Sequence, residues 1–443
     1  MPLPKIHTCS QIVNHFSHFC VFRTQTLKMI RIGTGLLIIA LMAGCLAKRE
    51  AKGRLKTGNW RAIVQIQGQD LPFNLEIVKD SADGFDAYLR NAGEQLLLDE
   101  VTVQNDTVSI ELHVFDATIK AKIMGDELHG QFIKNFESDY RLPFRAEYGK
   151  TYRFQRGKAG ESAPDFTGKY AATFIHEKDT TPAIGVFDQI GDSVTGTFLT
   201  PTGDYRYLEG NVVDGVLHLS TFDGNHAYLF TASKQSDGTL KGRYYSGKAW
   251  NEDWIAAKNE NATLPDAEKL TYLKEGYDRI SFSFPDVTGK KVTLTDDKYR
   301  NKVVILQIFG TWCPNCMDET KFLKPWYDKN KDRGVEIIGL AYERKPDFDY
   351  ASSRLKKMIE RFDVRYDFVV AGTHDKEKAS ETLPMLNKVV AFPTTIFIGK
   401  DGKVKKIHTG FTGPGTGKYY DEFIQHFNET VNELLSEKYT SVN

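Results

Sequence analysis

Cys313 and Cys316, in the run Trp312-Cys313-Pro314-Asn315-Cys316, are the residues whose type and spacing best suit them to chemistry. A thiolate attacks the sulfur of a disulfide, and a second thiol one helical turn away can then release the mixed disulfide. That chemistry needs one sulfur held where negative charge is favoured and the other within reach. Residues 303 to 309, Val-Val-Ile-Leu-Gln-Ile-Phe, form a nearly continuous apolar run expected of a strand covered on both faces. From Met317 to Lys331 the composition is helical, with Phe322, Leu323, Trp326 and Tyr327 giving one apolar face. The pair therefore falls at a strand-to-helix junction. Free backbone N–H groups and the macrodipole favour a thiolate on Cys313 there, and Pro314 fits the first turn, where its missing N–H costs nothing. Cys313 is read as the nucleophile and Cys316 as the resolving thiol. Three other readings weigh against this one: a zinc half-site, a plain structural disulfide and two buried free thiols. Zinc needs four ligands, and no second Cys or His pair follows residue 46; a ring this tight stabilises little as a staple. Redox use is favoured, and no metal or cofactor is expected.

The other cysteines, Cys9, Cys20 and Cys45, all lie near the start. From Met29 the chain has a basic residue, an apolar run from Gly33 to Met42, and small residues before Cys45, the layout of a signal peptide. The run is short for a membrane span and charged residues follow it directly. Met42-Ala43-Gly44-Cys45 resembles a bacterial lipobox, with Met42 where Leu is usual, so acylation of Cys45 is expected; an ordinary cleaved secretory peptide is the alternative. Residues 1 to 45 are read as signal peptide and lipobox, with Met29 as the true start and Cys9 and Cys20 without function. Of the 443 residues, 58 are basic and 58 acidic, which recommends no nucleic-acid partner, and the length allows two or three domains.

Between residues 54 and 257 apolar and polar residues alternate, as in Trp60, Ala62, Val64 and Ile66, with turn signals such as Asp83-Gly84 and Asp214-Gly215 between runs. The region reads as duplicated. Gly58-Asn59-Trp60 is echoed by Gly168-Lys169-Tyr170, Val108 to Asp116 by Val216 to Asp223, and Glu127 to Phe132 by Thr239 to Tyr244, at an offset of about 110 residues. Two all-β antiparallel segments, 54–157 and 165–257, are expected, each a barrel or sandwich of six to eight strands. His113, His129, His218 and His226 lack ligand spacing and read as ordinary strand histidines, and the aromatics as core. No chemistry is assigned to these segments; docking a protein partner is a plausible role. Residues 258 to 274 turn polar and read as a linker to an α/β domain at 275–437.

Trp312-Cys313-Pro314-Asn315-Cys316 with Met317-Asp318-Glu319 resembles the TlpA and ResA group of exported thioredoxin-like reductases, and the stretch from Ser281 to Phe427 follows their layout. The resemblance implies an α/β thioredoxin-like fold. It implies a cis-proline at Phe392-Pro393-Thr394 facing the cysteines, with Trp312 and these three residues on the substrate side. It also implies help with proton transfer from Glu319, three residues after the second Cys. Where cytosolic thioredoxins carry a buried Asp, six residues before the first Cys, this chain has Gln307, which cannot relay a proton. Helical segments at Tyr350 to Phe362 and Lys376 to Asn387 lengthen the crossover. The function expected by resemblance is a protein disulfide reductase, lipid-anchored through Cys45 on the periplasmic side of a bacterial membrane. It would act on protein thiols and disulfides, for example those of apocytochromes, and be recharged by a membrane electron donor. A disulfide oxidant or isomerase using the same cysteines is the runner-up. A peroxiredoxin-type peroxidase is less suited, since Gly310 and Leu306 stand where that class needs Thr and Pro.

Overall fold

Alternation of inward and outward side chains builds the first half of the molecule. The computed structural model describes residues 54–155 and 163–438; Met29, Cys45 and the rest of residues 1 to 45, read above as signal peptide and lipobox, lie outside them. In β1 (Gly58–Ile66) Trp60, Ala62, Val64 and Ile66 are fully buried, as the period-two reading requires. It is followed by β2 (Gln69–Lys79), β3 (Phe85–Asn91), β4 (Glu94–Gln104), β5 (Thr107–Leu112), β6 (Ala117–Met124), β7 (Glu127–Lys134) and β8 (Arg141–Tyr148). All pairings are between neighbours in sequence, and β8 returns to β1 to close an antiparallel barrel.

The second barrel repeats the plan with β9 (Gly168–His176), β10 (Asp179–Ile190), β11 (Ser193–Thr200), the two-residue β12 (Gly203–Asp204), β13 (Leu208–Val213), β14 (Val216–Phe222), β15 (Ala227–Lys234), β16 (Leu240–Ser246) and β17 (Trp250–Lys258). β9 pairs with β17, and β10 with β11, which closes the ring. Each sequence echo falls on matching strands. Gly58 and Gly168 open the first strand of each ring with φ of +120° and +129°, conformations open to glycine. Gly130 on β7 and Gly242 on β16 stand where a Cβ would collide with the carbonyl of Lys120 or Thr231 on the neighbouring strand. Side chains fill the second barrel: Phe230 stacks on Tyr244 with centroids 4.5 Å apart, and Phe198 meets Trp254 edge-on at 5.1 Å. Phe222 of β14 stacks on Phe73 of β2 at 4.4 Å, so the two barrels share core.

Residues 258 to 274, read as a linker, do not hang free. Thr271 is fully buried, and Lys274 N donates to Met385 O at 2.8 Å. The polar composition reflects a strap laid on a domain edge, where its backbone finds partners.

The C-terminal domain opens with a two-residue hairpin, β18 (Phe284–Pro285) and β19 (Lys291–Val292), and then builds a mixed sheet. Its elements are β20 (Val303–Phe309), α1 (Pro314–Asn330), β21 (Val335–Glu343), α2 (Phe348–Phe362), β22 (Asp367–Thr373), α3 (Lys376–Thr382), β23 (Thr394–Ile398), β24 (Val404–Thr409) and α4 (Lys418–Ser436). The strand order is β22-β21-β20-β23-β24, parallel from β20 to β22 and antiparallel at β23 and β24. Every residue of β20 is buried, as its apolar run demands. α3 stops at Thr382, short of the expected Asn387, because Pro384 pushes Leu383 out of helical geometry, to φ −126° and ψ 65°. α2 carries the first barrel: Arg361 reaches Asp99 at 2.8 Å and Arg354 donates to Val114 O at 2.9 Å. No helix among the described residues is long and apolar enough to cross a membrane.

Candidate active site

β20 ends at Phe309, and the next four residues turn the chain into α1 with Cys313 as its N-cap, at φ −101° and ψ 111°. Two anchors fix the turn. Thr311 donates through both N and Oγ1, each at 2.8 Å, to the buried Glu343 carboxylate, and Trp312 Nε1 donates to Tyr342 O at 2.8 Å. Gly310 is needed because a Cβ there would strike the Trp312 indole. Cys313 and Cys316 form a disulfide with Cα atoms 5.2 Å apart, and Cys316 N donates to Cys313 Sγ at 3.2 Å. Cys313 is 6% exposed and Cys316 fully buried, so access to the pair runs through Cys313. Pro314 occupies the first helical position, leaving the end of α1 to favour negative charge on the N-cap sulfur.

The Phe392–Pro393 bond is cis, and the Phe392 carbonyl oxygen lies 3.5 Å from Cys313 Sγ. Trp312 packs edge-on against Phe392, centroids 5.5 Å apart, to make an aromatic border beside the sulfur. Cys313, Cys316, Trp312, Phe392 and Pro393 are thus brought together. Thr394, expected on the substrate side, is instead fully buried; its hydroxyl donates to Ala391 O at 2.9 Å and braces the proline turn.

Glu319 lies behind the cysteines, fully buried on α1 one turn beyond Cys316. Burial pushes its carboxyl up to about 7, while hydrogen bonds from Thr395 Oγ1 at 2.5 Å and Gln307 Nε2 at 2.8 Å pull in the other direction. Gln307, which cannot itself carry a proton, becomes the donor that orients the carboxyl that can. Its amide also reaches Cys316 O at 3.4 Å, and Thr320 Oγ1 donates to the same carbonyl at 2.9 Å.

A second group of residues gave no sign in the sequence. Asn315, between the cysteines, donates to Asp204 O at 3.1 Å, and Arg206 donates to Pro314 O at 3.1 Å and pairs with Asp318. Asp204 and Arg206 belong to the second barrel. Among the described residues no group of three or more His, Cys, Asp or Glu could hold a metal ion.

The model of the Redoxin family matches residues 260–422. The thiol-disulfide oxidoreductase ResA of Bacillus thuringiensis subsp. konkukian is 32% identical over 132 residues, covering 30% of this chain and 68% of that protein. The chain belongs to the TlpA/ResA family of thioredoxin-fold thiol-disulfide oxidoreductases. ResA of Bacillus subtilis is 28% identical over 138 residues, covering 31% of this chain and 69% of its own. A solved thiol:disulfide interchange protein of the thioredoxin family from Chlorobium tepidum TLS matches at 19% identity and TM-score 0.29, over 37% of this chain and 99% of its own. Like the ResA proteins, this chain is a thiol-disulfide oxidoreductase acting on thiols and disulfides. The family match takes in less than half of the chain, and the two barrels lie ahead of the Redoxin region.

Proposed function

We propose that this oxidoreductase works as a reductant of protein disulfides outside the cytoplasm, held to a membrane by a lipid on Cys45. The observation that carries the reading is the pairing of an N-cap cysteine, the more exposed of the two, with a fully buried partner that has a titratable carboxyl one turn further along the same helix. In the reduced enzyme the Cys313 thiolate attacks one sulfur of a substrate disulfide. That S–S bond breaks, the other substrate sulfur leaves as a thiolate and takes up a proton, and a Cys313–substrate disulfide forms. Cys316 must lose its proton before it can attack Cys313 Sγ, and we assign the uptake of that proton to Glu319, whose carboxyl is raised to about 7 one turn further along α1. The second attack closes the Cys313–Cys316 disulfide and expels the remaining substrate sulfur as a thiolate, which takes up the second proton. Two electrons and two protons have then passed to the substrate, and an external dithiol donor at the membrane must restore the pair. Trp312 and Phe392 border the sulfur and meet the substrate chain. The lipid anchor rests on the run from Met29 to Cys45, with its basic start, apolar core and small residues before the cysteine.

Equilibration of the full chain with glutathione tests the direction. A reduction potential near or below that of thioredoxin, about −270 mV, supports a reductant, whereas a value near the strong-oxidant end, about −120 mV, overturns it. Loss of membrane association in Cys45→Ser tests the anchor; an unchanged membrane fraction refutes it.

A further inference from the structure

The loop that carries Cys313, the more exposed of the two cysteines, is flanked by residues of both barrels. On one side the β11–β12 turn of the second barrel lies against the cysteine loop and the loop after β24. Gly203, at φ +143°, fits where a Cβ would sit 3.2 Å from the Asn315 amide, and Gly410 has no room for a Cβ because Thr202 backbone stands 2.8 Å from that point. Backbone and side chain both close this seam: the Asp204 carboxylate accepts from Gly413 N at 2.7 Å, and its carbonyl accepts from Asn315. On the other side the Arg344 guanidinium lies over the Trp312 ring at 5.1 Å and over the ring of Phe136, from the first barrel, at 4.0 Å. Arg344 also donates to Asn225 of the second barrel at 3.2 Å.

One side chain holds the first of these sides in place. Arg206 is buried, with its guanidinium among Glu94 of the first barrel, Asp223 of the second and Asp318 of α1, and it donates to Pro314 O beside Cys313. Swinging the turn away from the cysteines would separate buried charges from each other, so the β11–β12 turn is a fixed border and not a loose flap.

We propose that the barrels build the substrate opening of this enzyme, with Arg206 as the positioning residue, and restrict Cys313 to disulfides carried on extended, slender chain segments. A disulfide set flush in a folded surface brings a broad body against the β11–β12 turn and Trp312 before its sulfur reaches Cys313. An unfolded segment presents its sulfur on a narrow strand that fits between them. This rests on the reading of Cys313 as the attacking sulfur, in either redox direction.

The test uses the reduced full chain and measures thiol-disulfide exchange with three probes: glutathione disulfide, a disulfide joining two unstructured peptides, and a surface disulfide of a stably folded protein. The wild type is expected to exchange with the peptide disulfide at least about tenfold faster than with the folded protein, the scale on which pocket contacts discriminate. Arg206→Ala is expected to shrink that ratio, because the folded probe gains access. Thr202→Trp, which thickens an exposed part of the turn away from the charge cluster, is expected to lower the ratio of peptide to glutathione rates, and decides the matter if Arg206→Ala does not fold. If both variants change all three rates in parallel, or neither alters the ratios, the barrels do not set access and the proposal is overturned. A wild type inert toward glutathione disulfide overturns the dithiol chemistry as well, which separates the two failures.

Discussion

Replacing Glu319 by Gln isolates the most unusual group of the site. Burial moves this carboxyl from an ordinary 4.5 to about 7, and its partners, Gln307 and Thr395, are neutral. A raised value in the folded state means that the native protein keeps a proton which the unfolded chain has already lost between pH 4.5 and 7. Stability therefore falls as pH rises through that window and stays reduced above it. At 1.36 kcal/mol per pH unit the loss amounts to about 3 kcal/mol by pH 8. Gln reproduces the protonated form: its carbonyl oxygen can accept from Gln307 and its amide can donate to the Thr395 hydroxyl. Glu319→Gln should then differ little from the wild type at pH 4.5 and exceed it by about 3 kcal/mol at pH 8. Hydrogen exchange of the β20 amides in the oxidised full chain, across this pH range, reads the difference where it arises. A gap between variant and wild type that does not change with pH would refute the reasoning.

Thr395→Val removes the hydroxyl donor that stabilises the ionised carboxylate, so the Glu319 midpoint should rise further above 7, read by carboxyl infrared titration; an unmoved or lowered midpoint contradicts the arrangement. Gly242→Ala places a Cβ against the Thr231 carbonyl and the Trp254 indole and should cost about 1–3 kcal/mol in urea unfolding of the second barrel, and a neutral result would mean that the strands are not this close.

The dithiol and its position were legible because a strand apolar at all but Gln307, followed by a helical stretch, leaves the residues between them one place to go. The barrels were legible for the same reason, since period-two burial and a repeated glycine–aromatic opening mark equivalent strands. Glu319 is different. A carboxylate in the early turns of a helix reads as an exposed charge, and only the packing of α1 onto β20 and β23 reveals that Gln307 and Thr395 enclose it. Arg206 was beyond reach for another reason: Glu94 and Asp318 each lie 112 residues from it, on separate domains, and no periodicity joins them. Thr394 faces inward because it opens β23, which lies between β20 and β24, and its hydroxyl is taken up by Ala391 O in the proline turn.

Alkylation of the reduced, folded full chain tests the central claim most directly, with the modified cysteine located by mass spectrometry. Brief treatment with iodoacetamide should cap Cys313 and leave the fully buried Cys316 free. Capping of Cys316 first, or inertness of both sulfurs, would contradict the assignment of Cys313 as the attacking group.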